Sequence, residues 1–572
     1  MLELWPDFDA RWIVHEDEDL IVVDKPAHVP SQAAEEVHDD DLLSRLRRYL
    51  AVRDGVGEGD IYLGVHQRLD RETSGLVLFT KRREANAGIA EQFEQRTIAK
   101  TYVAAVVGDA RPALLEHWLE RGPGGRMQVV AGNSRKRDDT RLAKTRVSVA
   151  ERAGERARVV LGCDTGRTHQ LRVQLAHVGT PIAGDRLYGG VPALRLMLHA
   201  AQLELTHPRD GRPLQLGAPV PIELERFLAH GAEDAARDPA LFARALELAL
   251  QRRYRLGRAQ AAAEPTTAFR LLNDEGDGTP QLAVDVYGEH AVVHVFEEGG
   301  FEAQSHEHAS QLERMLAALE GLGFSGIYAK HHPKQKNELA DPRDPRYAPA
   351  QPLRGTAAPD ELVIFEHGVP FEVHLGDGLR TGLFLDQRDN RQRVREAARD
   401  QRVLNLFAYT GGFSVAALAG GAAEAICVDA SATALAWARR NVARVDASAR
   451  HRVLQDDAFS VLARLARRGE RFGLIVLDPP SYATTRGRRF RVLRDYAELC
   501  EASARVLAPG GKLLACVNHH EAAQGWLRKE VTRAIRAAGR EIAQLRDVPA
   551  QLDFPITVGA EPASKSVLMI SA

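Results

Sequence analysis

Hydrophobic residues along the chain fall into short continuous runs and into runs spaced by three or four positions, and the two patterns alternate. In the first third, residues 13–14, 20–23 and 99–107 form apolar runs that predict strands. Residues 41–51 and 84–95 carry apolar positions at helical spacing and predict amphipathic helices. The alternation predicts mixed α+β structure for this region.

The pattern changes in the middle of the chain. Residues 230–237 are small and polar, as in a linker, and residues 239–258 then predict an amphipathic helix with arginines near its end. Residues 269–295 alternate and contain turn residues, which predicts hairpins, and residues 303–320 predict another helix.

In the last third, strands and helices are predicted in turn. Strands at 403–406, 425–428 and 473–477 each end in polar residues, and a glycine turn followed by a helix from Val415 to Gly420 comes after the first strand. Polar residues at the carboxyl ends of alternating strands are typical of an open α/β sheet with a ligand along that edge. We therefore predict a multidomain fold, α+β first and α/β last.

Length and composition narrow the class of protein. At about 150 residues per domain, 572 residues predict three or four domains. No apolar run reaches the ~18 residues that a membrane span needs, and the N-terminus lacks the features of a signal peptide. The four cysteines are scattered, so we expect a cytoplasmic protein without a zinc site or disulfides.

Charge gives a weak indication of the partner. The formal net charge of −2 counts mildly against nucleic-acid binding, although binding requires only a local basic surface. Residues 134–141, 330–336 and 486–494 are basic stretches that are candidates for such a surface. Taken alone, each is more often a solvated surface.

The block from His66 to Gly75 contains the first candidate catalytic group. It reads His-Gln-Arg-Leu-Asp-Arg-Glu-Thr-Ser-Gly and runs into an apolar strand, with Asp70 between two arginines. Nearby arginines favour an ionised carboxylate that acts as a nucleophile or base. A lone acid in such a setting is more often structural. The whole block, however, resembles the signature of RluA-type pseudouridine synthases.

Two further blocks support this resemblance, which covers roughly residues 11–228. They are Lys100-Thr-Tyr102 and Gly166-Arg-Thr-His-Gln-Leu-Arg172, and the region from Gly184 to Gly189 follows them. The resemblance implies that Asp70 attacks or activates the ribosyl carbon of a uridine in RNA and that no cofactor is needed. His169 is expected to be structural.

The resemblance assigns the other roles at this site. Tyr102 stacks on the base and assists proton removal from C5, and Arg172 keeps Asp70 ionised. Arg68 enters the RNA stack after the uridine has been flipped out, and Arg167 contacts RNA. Extrusion of the base fits the physics, because a stacked base is out of reach and planar side chains can fill the gap.

The predicted α/β region resembles class I S-adenosylmethionine-dependent methyltransferases of the large-subunit ribosomal RNA type, over roughly residues 240–572. The residues that this resemblance places around the cofactor are Gln387, Asn405, Phe407, Tyr409, Gly411, Asp429 and Asp457. The block Asp478-Pro479-Pro480-Ser481-Tyr482 is expected to receive the target base, with Asp478 at the base edge and Tyr482 stacked on the ring.

The methylated atom depends on the strand after Gly510-Gly511. Methylation of cytosine C5 requires a thiolate, and the cysteine of that branch aligns with Asn518, while Cys516 lies two residues earlier on the same strand face. The asparagine favours the branch that methylates guanine N7, where positioning of the lone pair suffices. Cysteine chemistry through Cys516 is the alternative.

The two resemblances divide the chain into three parts. Residues 1–230 are expected to form a mixed-sheet pseudouridine synthase domain, residues 238–375 a linker helix and a small α+β accessory domain, and residues 376–572 a Rossmann-like methyltransferase domain. The expected partner is RNA, most simply ribosomal RNA, with no metal and no membrane. Two alternatives are that one head serves only to bind RNA, and that the methyltransferase acts on protein or a small molecule.

Overall fold

The computed structural model describes most of the chain. The described residues are 4–5, 7–32, 41–130, 139–258, 264–298, 306–334, 344–446, 450–485 and 488–572. Residues 134–138 of the first basic stretch and residues 335–336 of the second therefore lie outside the described residues. Within these ranges, no helix is both long and apolar enough to span a lipid bilayer.

The N-terminal part is built on one mixed sheet. Its strands are β1 Ile13–Glu16, β2 Leu20–Lys25, β3 Gly64–Val65, β4 Ser74–Thr80, β5 Ala99–Val107, β6 Ala113–Arg121, β7 Met127–Val129, β8 Arg141–Ala153, β9 Arg156–Cys163, β10 Leu198–Thr206 and β11 Pro213–Gly217. The order is β1-β2-β4-β10-β5-β9-β8-β6-β7, with β3 beside β4 and β11 beside β10. β4 and β10 are parallel, and their neighbours pair antiparallel. The helices are α1 Leu42–Asp54, α2 Glu84–Gln95, α3 Gln170–His177 and α4 Ile222–His230.

Strand β4 shows why the sheet is covered on both faces. Its side chains alternate, so that Val77 and Phe79 pack with Leu46 of α1, while Leu76 packs on the other face with Ile89 of α2. All seven residues of the strand are buried. The loop that carries Asp70 leads directly into this strand, which gives the loop a rigid support.

The middle part begins with a long helix. Its elements are α5 Pro239–Arg258, β12 Ala268–Asn273, β13 Leu282–Tyr287, β14 His290–Glu298, α6 His306–Gly321, β15 Gly326–Lys334, β16 Arg354–Gly355, β17 Leu362–Glu366 and β18 Val369–Val373. β12 to β16 form a sheet in chain order, in which α6 connects the parallel pair β14 and β15. β17 and β18 form a separate hairpin.

The C-terminal part has the predicted Rossmann-like architecture. Its elements are α7 Arg388–Ala397, β19 Arg402–Leu406, α8 Gly412–Ala419, β20 Glu424–Asp429, α9 Ala432–Val445, β21 His451–Gln455, α10 Ala458–Arg467, β22 Phe472–Leu477, β23 Tyr482–Thr485, β24 Arg488–Arg491, α11 Val492–Val506, β25 Leu507–Asn518, α12 Gln524–Ala537, β26 Ile542–Val548 and β27 Ser564–Ser571. The main sheet has the order β21-β20-β19-β22-β25-β27-β26 and is parallel up to β25. The fold class is confirmed as multidomain α+β and α/β, and the boundaries at 230, 238 and 375 remain predictions.

Several local predictions differ from the structure. The helix predicted to begin at Val415 begins three residues earlier, at Gly412, because the left-handed turn ends at Gly411. Residues 488–494 are a strand and the start of α11 and not a loop. Lys330, predicted in a basic stretch that could touch RNA, is buried within β15.

Helix α5 joins the three parts through buried charges. Arg252 Nη1 and Arg253 Nη2 each lie 2.6 Å from a different oxygen of Asp277. Burial alone would raise the pKa of Asp277, but Arg253 and Arg252 outweigh it and lower the pKa. Arg253 also donates to the carbonyl of Asp553 in the C-terminal part. On the other side, the Arg45 guanidinium of α1 lies 3.2 Å from the ring centroid of Tyr254.

Replacing Asp277 with alanine tests this junction. Loss of the carboxylate leaves two buried guanidinium groups without their partner, so we expect the free energy of unfolding to fall by about 3–5 kcal/mol. Urea unfolding of the full chain measures the change. Glu275→Ala, an exposed acid on the same turn, is the matched control and should change it by less than about 0.5 kcal/mol. Equal effects of the two substitutions would contradict the assignment.

Candidate functional sites in two cavities

A cavity of about 730 Å³ lies beside the Asp70 loop. The structure brings to it all five residues that were predicted for this site, namely Arg68, Asp70, Tyr102, Arg167 and Arg172. His169, which was expected to be structural, also lines the cavity, and its Nε2 lies 3.9 Å from Asp70 Oδ2. Burial lowers the pKa of His169, so the ring is neutral at pH 7.

The charge beside Asp70 comes from helix α3. Arg172 Nη1 donates to Asp70 Oδ2 at 3.3 Å. Its Nε and Nη2 donate to the two oxygens of buried Asp185 at 2.8 and 2.9 Å. This bidentate contact fixes the plane of the guanidinium, so that the remaining nitrogen is directed to Asp70. The sequence did not indicate the role of Asp185.

Arg71, the sequence neighbour of Asp70, serves another purpose. Its Nε donates to the carbonyl of His28 at 2.9 Å, and its Nη2 donates to the carbonyl of Arg252 in α5 at 3.4 Å. Buried Lys25 donates from Nζ to the carbonyl of Arg71 at 3.2 Å. These contacts hold the Asp70 loop from two sides, one of them the linker helix.

Tyr102 lines the same cavity on β5. Burial, with Cys163 and Asp70 close by, raises the pKa of its phenol well above the usual value. Stacking on the base and assistance in the removal of the C5 proton both remain predictions for Tyr102. Phe93 and Lys100 also line the cavity and had no predicted role.

A second cavity, of about 800 Å³, lies along the carboxyl ends of β19, β20 and β22. The predicted residues that line it are Gln387, Phe407, Tyr409, Asp429, Asp457, Asp478, Pro479, Tyr482 and Asn518. Asn405 and Gly411 are not among the described lining residues. Asn405 is fully buried and bonds to Ser414, while a Cβ on Gly411 would lie only 2.8 Å from that of Ala438 in α9. Both residues support the wall from behind.

The loop after β19 is held tightly around Asp429. The two carboxylate oxygens of Asp429 accept hydrogen bonds from the backbone N–H groups of Tyr409 and Ser431, each at 2.9 Å. Phe407 and Tyr409 have φ values of 58° and 50°, a left-handed conformation that is costly for aromatic residues. Strain of this kind is concentrated where a backbone must approach a ligand.

Asp478 and Asp386 form an acidic pair at the inner end of this cavity. Burial, with Asp386 next to it, raises the pKa of Asp478 to about 7. Burial also raises the pKa of Asp386. A raised pKa favours the protonated carboxyl group, which donates as well as accepts hydrogen bonds. Asp386 had no predicted role, although it is the sequence neighbour of Gln387, which was expected beside the cofactor.

Cys516 has a different environment from Asn518. Its side chain is fully buried against Ser566, whose Oγ lies 3.3 Å from Sγ, and burial raises the pKa of the thiol well above its usual value. It is not one of the described residues that line the second cavity, whereas Asn518 is exposed and does line it.

Asp17, Asp19 and His207 are close enough together to suggest a metal site. Both carboxylates, however, already have arginine partners, with Arg212 Nη2 3.1 Å from Asp17 and Arg209 Nη2 2.8 Å from Asp19. We interpret the group as an ion-pair cluster, and the absence of a metal remains a prediction.

Comparison with known families agrees with both sites. The RNA pseudouridylate synthase family matches residues 19–177, and the S-adenosylmethionine-dependent methyltransferase family matches residues 315–561. The chain is thus an enzyme with a pseudouridine synthase domain and an S-adenosylmethionine-dependent methyltransferase domain.

Individual relatives give the family of the longer part. A ribosomal RNA large subunit methyltransferase of Deinococcus radiodurans is 34% identical over 388 residues, which are 62% of this chain and 92% of the relative. The chain belongs to this methyltransferase family.

Solved structures resemble each part of the chain. A candidate methyltransferase in complex with SAH is 23% identical, with a TM-score of 0.49, over 65% of this chain and 88% of its own. Human RNA Pseudouridylate Synthase Domain Containing 4 is 24% identical, with a TM-score of 0.32, over 38% of this chain and 93% of its own.

Arg172→Lys tests the geometry at Asp70. An ammonium group does not span Asp185 and Asp70 in the way that the planar guanidinium does, so we expect the rate of pseudouridine formation to fall by about 10- to 100-fold. Mass spectrometry of nucleosides from a treated RNA transcript measures the rate. Arg226→Lys, on a surface ion pair with Asp238, is the matched control and should retain full activity. Full activity of Arg172→Lys would show that the bidentate contact is dispensable.

Proposed function

We propose that this chain is a bifunctional enzyme that modifies large-subunit ribosomal RNA, converting a uridine to pseudouridine and methylating a guanine at N7. The curated relative acts, by its name, on ribosomal RNA of the large subunit. The pseudouridine synthase domain and the methyltransferase belong to one chain, which supports a shared class of RNA substrate and a cytoplasmic location.

In the isomerase site, Asp70 is the group that acts on the sugar. The carboxylate attacks or activates the ribosyl carbon, the bond from that carbon to N1 of uracil breaks, and the base turns and rejoins through C5. The proton on C5 leaves and N1 gains one, so the reaction needs no oxidant or added group. Arg172 orients Asp70 and Tyr102 supports the base, while Arg68 and Arg167 at the rim contact the RNA.

In the methyltransferase site, the lining residues fit an adenosine with a charged tail. Asp429, fixed by two backbone N–H groups, is placed to accept from the ribose hydroxyls, and Asp457 is placed for the adenine amino group. Phe407, Tyr409 and Gln387 complete the cavity wall. S-adenosylmethionine supplies the methyl group from its sulfonium. The chain's own task is to hold the base at the Asp478 end, with Pro479 and Tyr482 at its rim.

The observation that carries the choice of N7 is the side chain at the end of β25. Attack on cytosine C6 requires a thiolate in the cavity, but the exposed position is occupied by Asn518. Cys516 is enclosed and protonated, so the alternative of C5 methylation lacks its nucleophile. Guanine N7 has its own lone pair, and an amide at Asn518 can position the base without entering the chemistry.

Asp429→Ala tests the assignment of the cofactor cavity. The substitution removes the acceptors for the ribose and releases the loop at Tyr409, so we expect the affinity for S-adenosylmethionine to fall at least tenfold. Isothermal calorimetry on the full chain measures it. Glu501→Ala, on an acid of α11 that pairs with Arg505 away from this cavity, is the control and should change the affinity less than threefold. An unchanged affinity of Asp429→Ala would place the cofactor elsewhere.

Two substitutions on β25 test the methylated atom. We expect Cys516→Ala to keep methyl transfer to an unmodified large-subunit ribosomal RNA transcript within about threefold, because the thiol has no part in the reaction. Asn518→Ala should lower kcat/KM about tenfold through loss of positioning.

The product itself decides between the two bases. Nucleoside mass spectrometry of the wild-type reaction should find 7-methylguanosine. Detection of 5-methylcytidine, with loss of activity in Cys516→Ala, would establish the thiolate mechanism instead.

A further inference from the structure

A third cavity, of about 700 Å³, lies between the sheet of the middle part and the methyltransferase domain. It adjoins the cofactor cavity, because Arg380, Asp386, Tyr409 and Asn518 line both. A group that enters the third cavity is therefore continuous with the space in which the methyl donor is expected. The wall on the side of the middle part has no assigned role.

A row of polar side chains crosses that wall. Arg270 of β12 faces Asp285 of β13, and the strand registers place His294 of β14 and His332 of β15 one step further along the same face. The four side chains are linked in sequence. Asp285 Oδ2 lies 2.9 Å from His294 Nε2, and His294 Nδ1 lies 2.9 Å from His332 Nε2.

The protonation of this row follows from its charges. Burial alone would raise the pKa of Asp285, but Arg270 and His294 outweigh it, so the pKa is lowered and the carboxylate only accepts hydrogen bonds. Burial lowers the pKa of His294, and burial with His294 and Lys330 nearby lowers that of His332 to about 3. Both rings are neutral at pH 7, and each carries one proton.

The positions of these protons are then fixed. His294 Nε2 must carry its proton, because its partner Asp285 only accepts. His294 Nδ1 is therefore an acceptor, and the proton between the two rings belongs to Nε2 of His332. Nδ1 of His332 is left unprotonated, and no described residue donates to it. The row thus presents a hydrogen-bond acceptor on a residue that lines the cavity.

The same cavity contains a donor without a partner. Nη1 of Arg393, on α7, is buried and has no hydrogen-bond partner among the described residues. Arg270 is already committed to Asp285 and lies 4.8 Å from the ring centroid of Phe554. The Phe296 ring is stacked on His332 at 5.0 Å, which gives the acceptor a flat apolar neighbour.

We propose that this cavity reads the Watson–Crick edge of the target guanine, with Nδ1 of His332 accepting from an N–H group of that edge. The inference rests on the proposed N7 methylation. In guanine, N7 and the N1–H and N2–H₂ donors lie on opposite sides of the purine, so a base with N7 toward the methyl donor presents its donors to the third cavity. O6, beside N1–H, requires a donor such as Arg393.

The polarity of the row distinguishes guanine from cytosine. A cytosine that offers C5 to the methyl donor turns its O2 side, which only accepts hydrogen bonds, toward the third cavity. An acceptor at His332 would then face another acceptor. A site that leaves buried polar groups unpaired rejects the wrong base strongly. Asp285, His294 and His332 are therefore specificity-determining residues that contribute no chemistry to the transfer.

Asp285→Asn is expected to reverse the direction of the hydrogen bonds along the row while nearly preserving the shape of the side chain. When the asparagine oxygen keeps the contact with Arg270 Nε, its amide group takes the Oδ2 position and donates to His294 Nε2. Each ring proton then moves to the other nitrogen, and Nδ1 of His332 becomes a donor that opposes the base. We expect kcat/KM for methylation of an unmodified large-subunit ribosomal RNA transcript to fall about 10- to 100-fold, mainly through KM. Pseudouridine formation by the same preparation should be unchanged.

His332→Leu is a second test of the same inference, because it removes the hydrogen-bond acceptor and leaves the pair of Arg270 and Asp285 intact. We expect a similar loss in kcat/KM. Glu313→Gln, on an exposed acid of α6 that pairs with Arg354 outside this cavity, is the matched control and should stay within about twofold. Calorimetric affinity for S-adenosylhomocysteine should be unchanged in all three variants, which separates base recognition from damage to the cofactor cavity.

The outcomes distinguish this inference from the function on which it rests. If the wild-type product is 5-methylcytidine, the proposed function fails and the inference fails with it. If the product is 7-methylguanosine but Asp285→Asn and His332→Leu both stay within twofold of wild type, only the role of the row is overturned. Loss of methylation together with loss of S-adenosylhomocysteine binding would also overturn it, since the effect would then be structural.

Discussion

The assembly of the three parts depends on the hydrogen bonds that the buried Asp277 carboxylate accepts from Arg252 and Arg253. A buried charge without partners costs several kcal/mol, and Asp277 is stable only because Arg252 and Arg253 approach it from adjacent positions of one helix. Consecutive residues point to different sides of a helix. The two guanidinium groups therefore extend in different directions beyond the carboxylate, one toward the pseudouridine synthase and one toward the methyltransferase.

On the side of the pseudouridine synthase domain, Arg252 is connected through His28 to the loop that carries Asp70. Arg252 Nη2 lies 3.0 Å from Nε2 of His28, whose pKa is lowered far by burial, so that a neutral ring accepts from the arginine. His28 has a φ of 69°, which is strained for a residue with a side chain. Its carbonyl receives Arg71, and so the arginine next to Asp70 holds the loop to the helix.

On the second side, the contact continues into the cofactor region. Arg253 donates to the carbonyl of Asp553, and the Asp553 carboxylate accepts two hydrogen bonds of 2.7 Å from Arg388 at the start of α7. Asp553 also accepts from the backbone N–H of Arg270. Strand β12, where the polar row starts, and helix α7 are therefore both hydrogen-bonded to the carboxylate of Asp553. Hydrogen bonds thus connect α5 with β12 and, through Asp553, with α7.

Sequence predicted those features that depend on neighbours along the chain. Apolar periodicity located β5 and α2 at their observed bounds, since burial of one face per element is a local pattern. The block containing Asp70 was likewise visible as a block. The source of its positive partner was only partly visible, because the two flanking arginines suggested a local pair, whereas Arg172 reaches Asp70 from a helix a hundred residues later.

Features that depend on long-range packing had no such signal. Asp185 orients Arg172, Asp386 helps to raise the pKa of Asp478, and His332 completes a row across four strands, yet each is an ordinary polar residue in its own segment. Asn405 is another example. Its place near the end of β19 follows from the sequence, but the contact of its buried side chain with Ser414 of α8 does not.

The two sites use carboxylates in opposite electrostatic settings, which suits two different reactions. Asp70 has a guanidinium 3.3 Å away, and a nucleophile must stay ionised to attack carbon. Burial, with Asp386 nearby, instead raises the pKa of Asp478 to about 7, which favours its neutral form. A group of that kind bonds to a neutral base edge without repelling it, and it leaves the methyl transfer to the geometry of the donor and the lone pair.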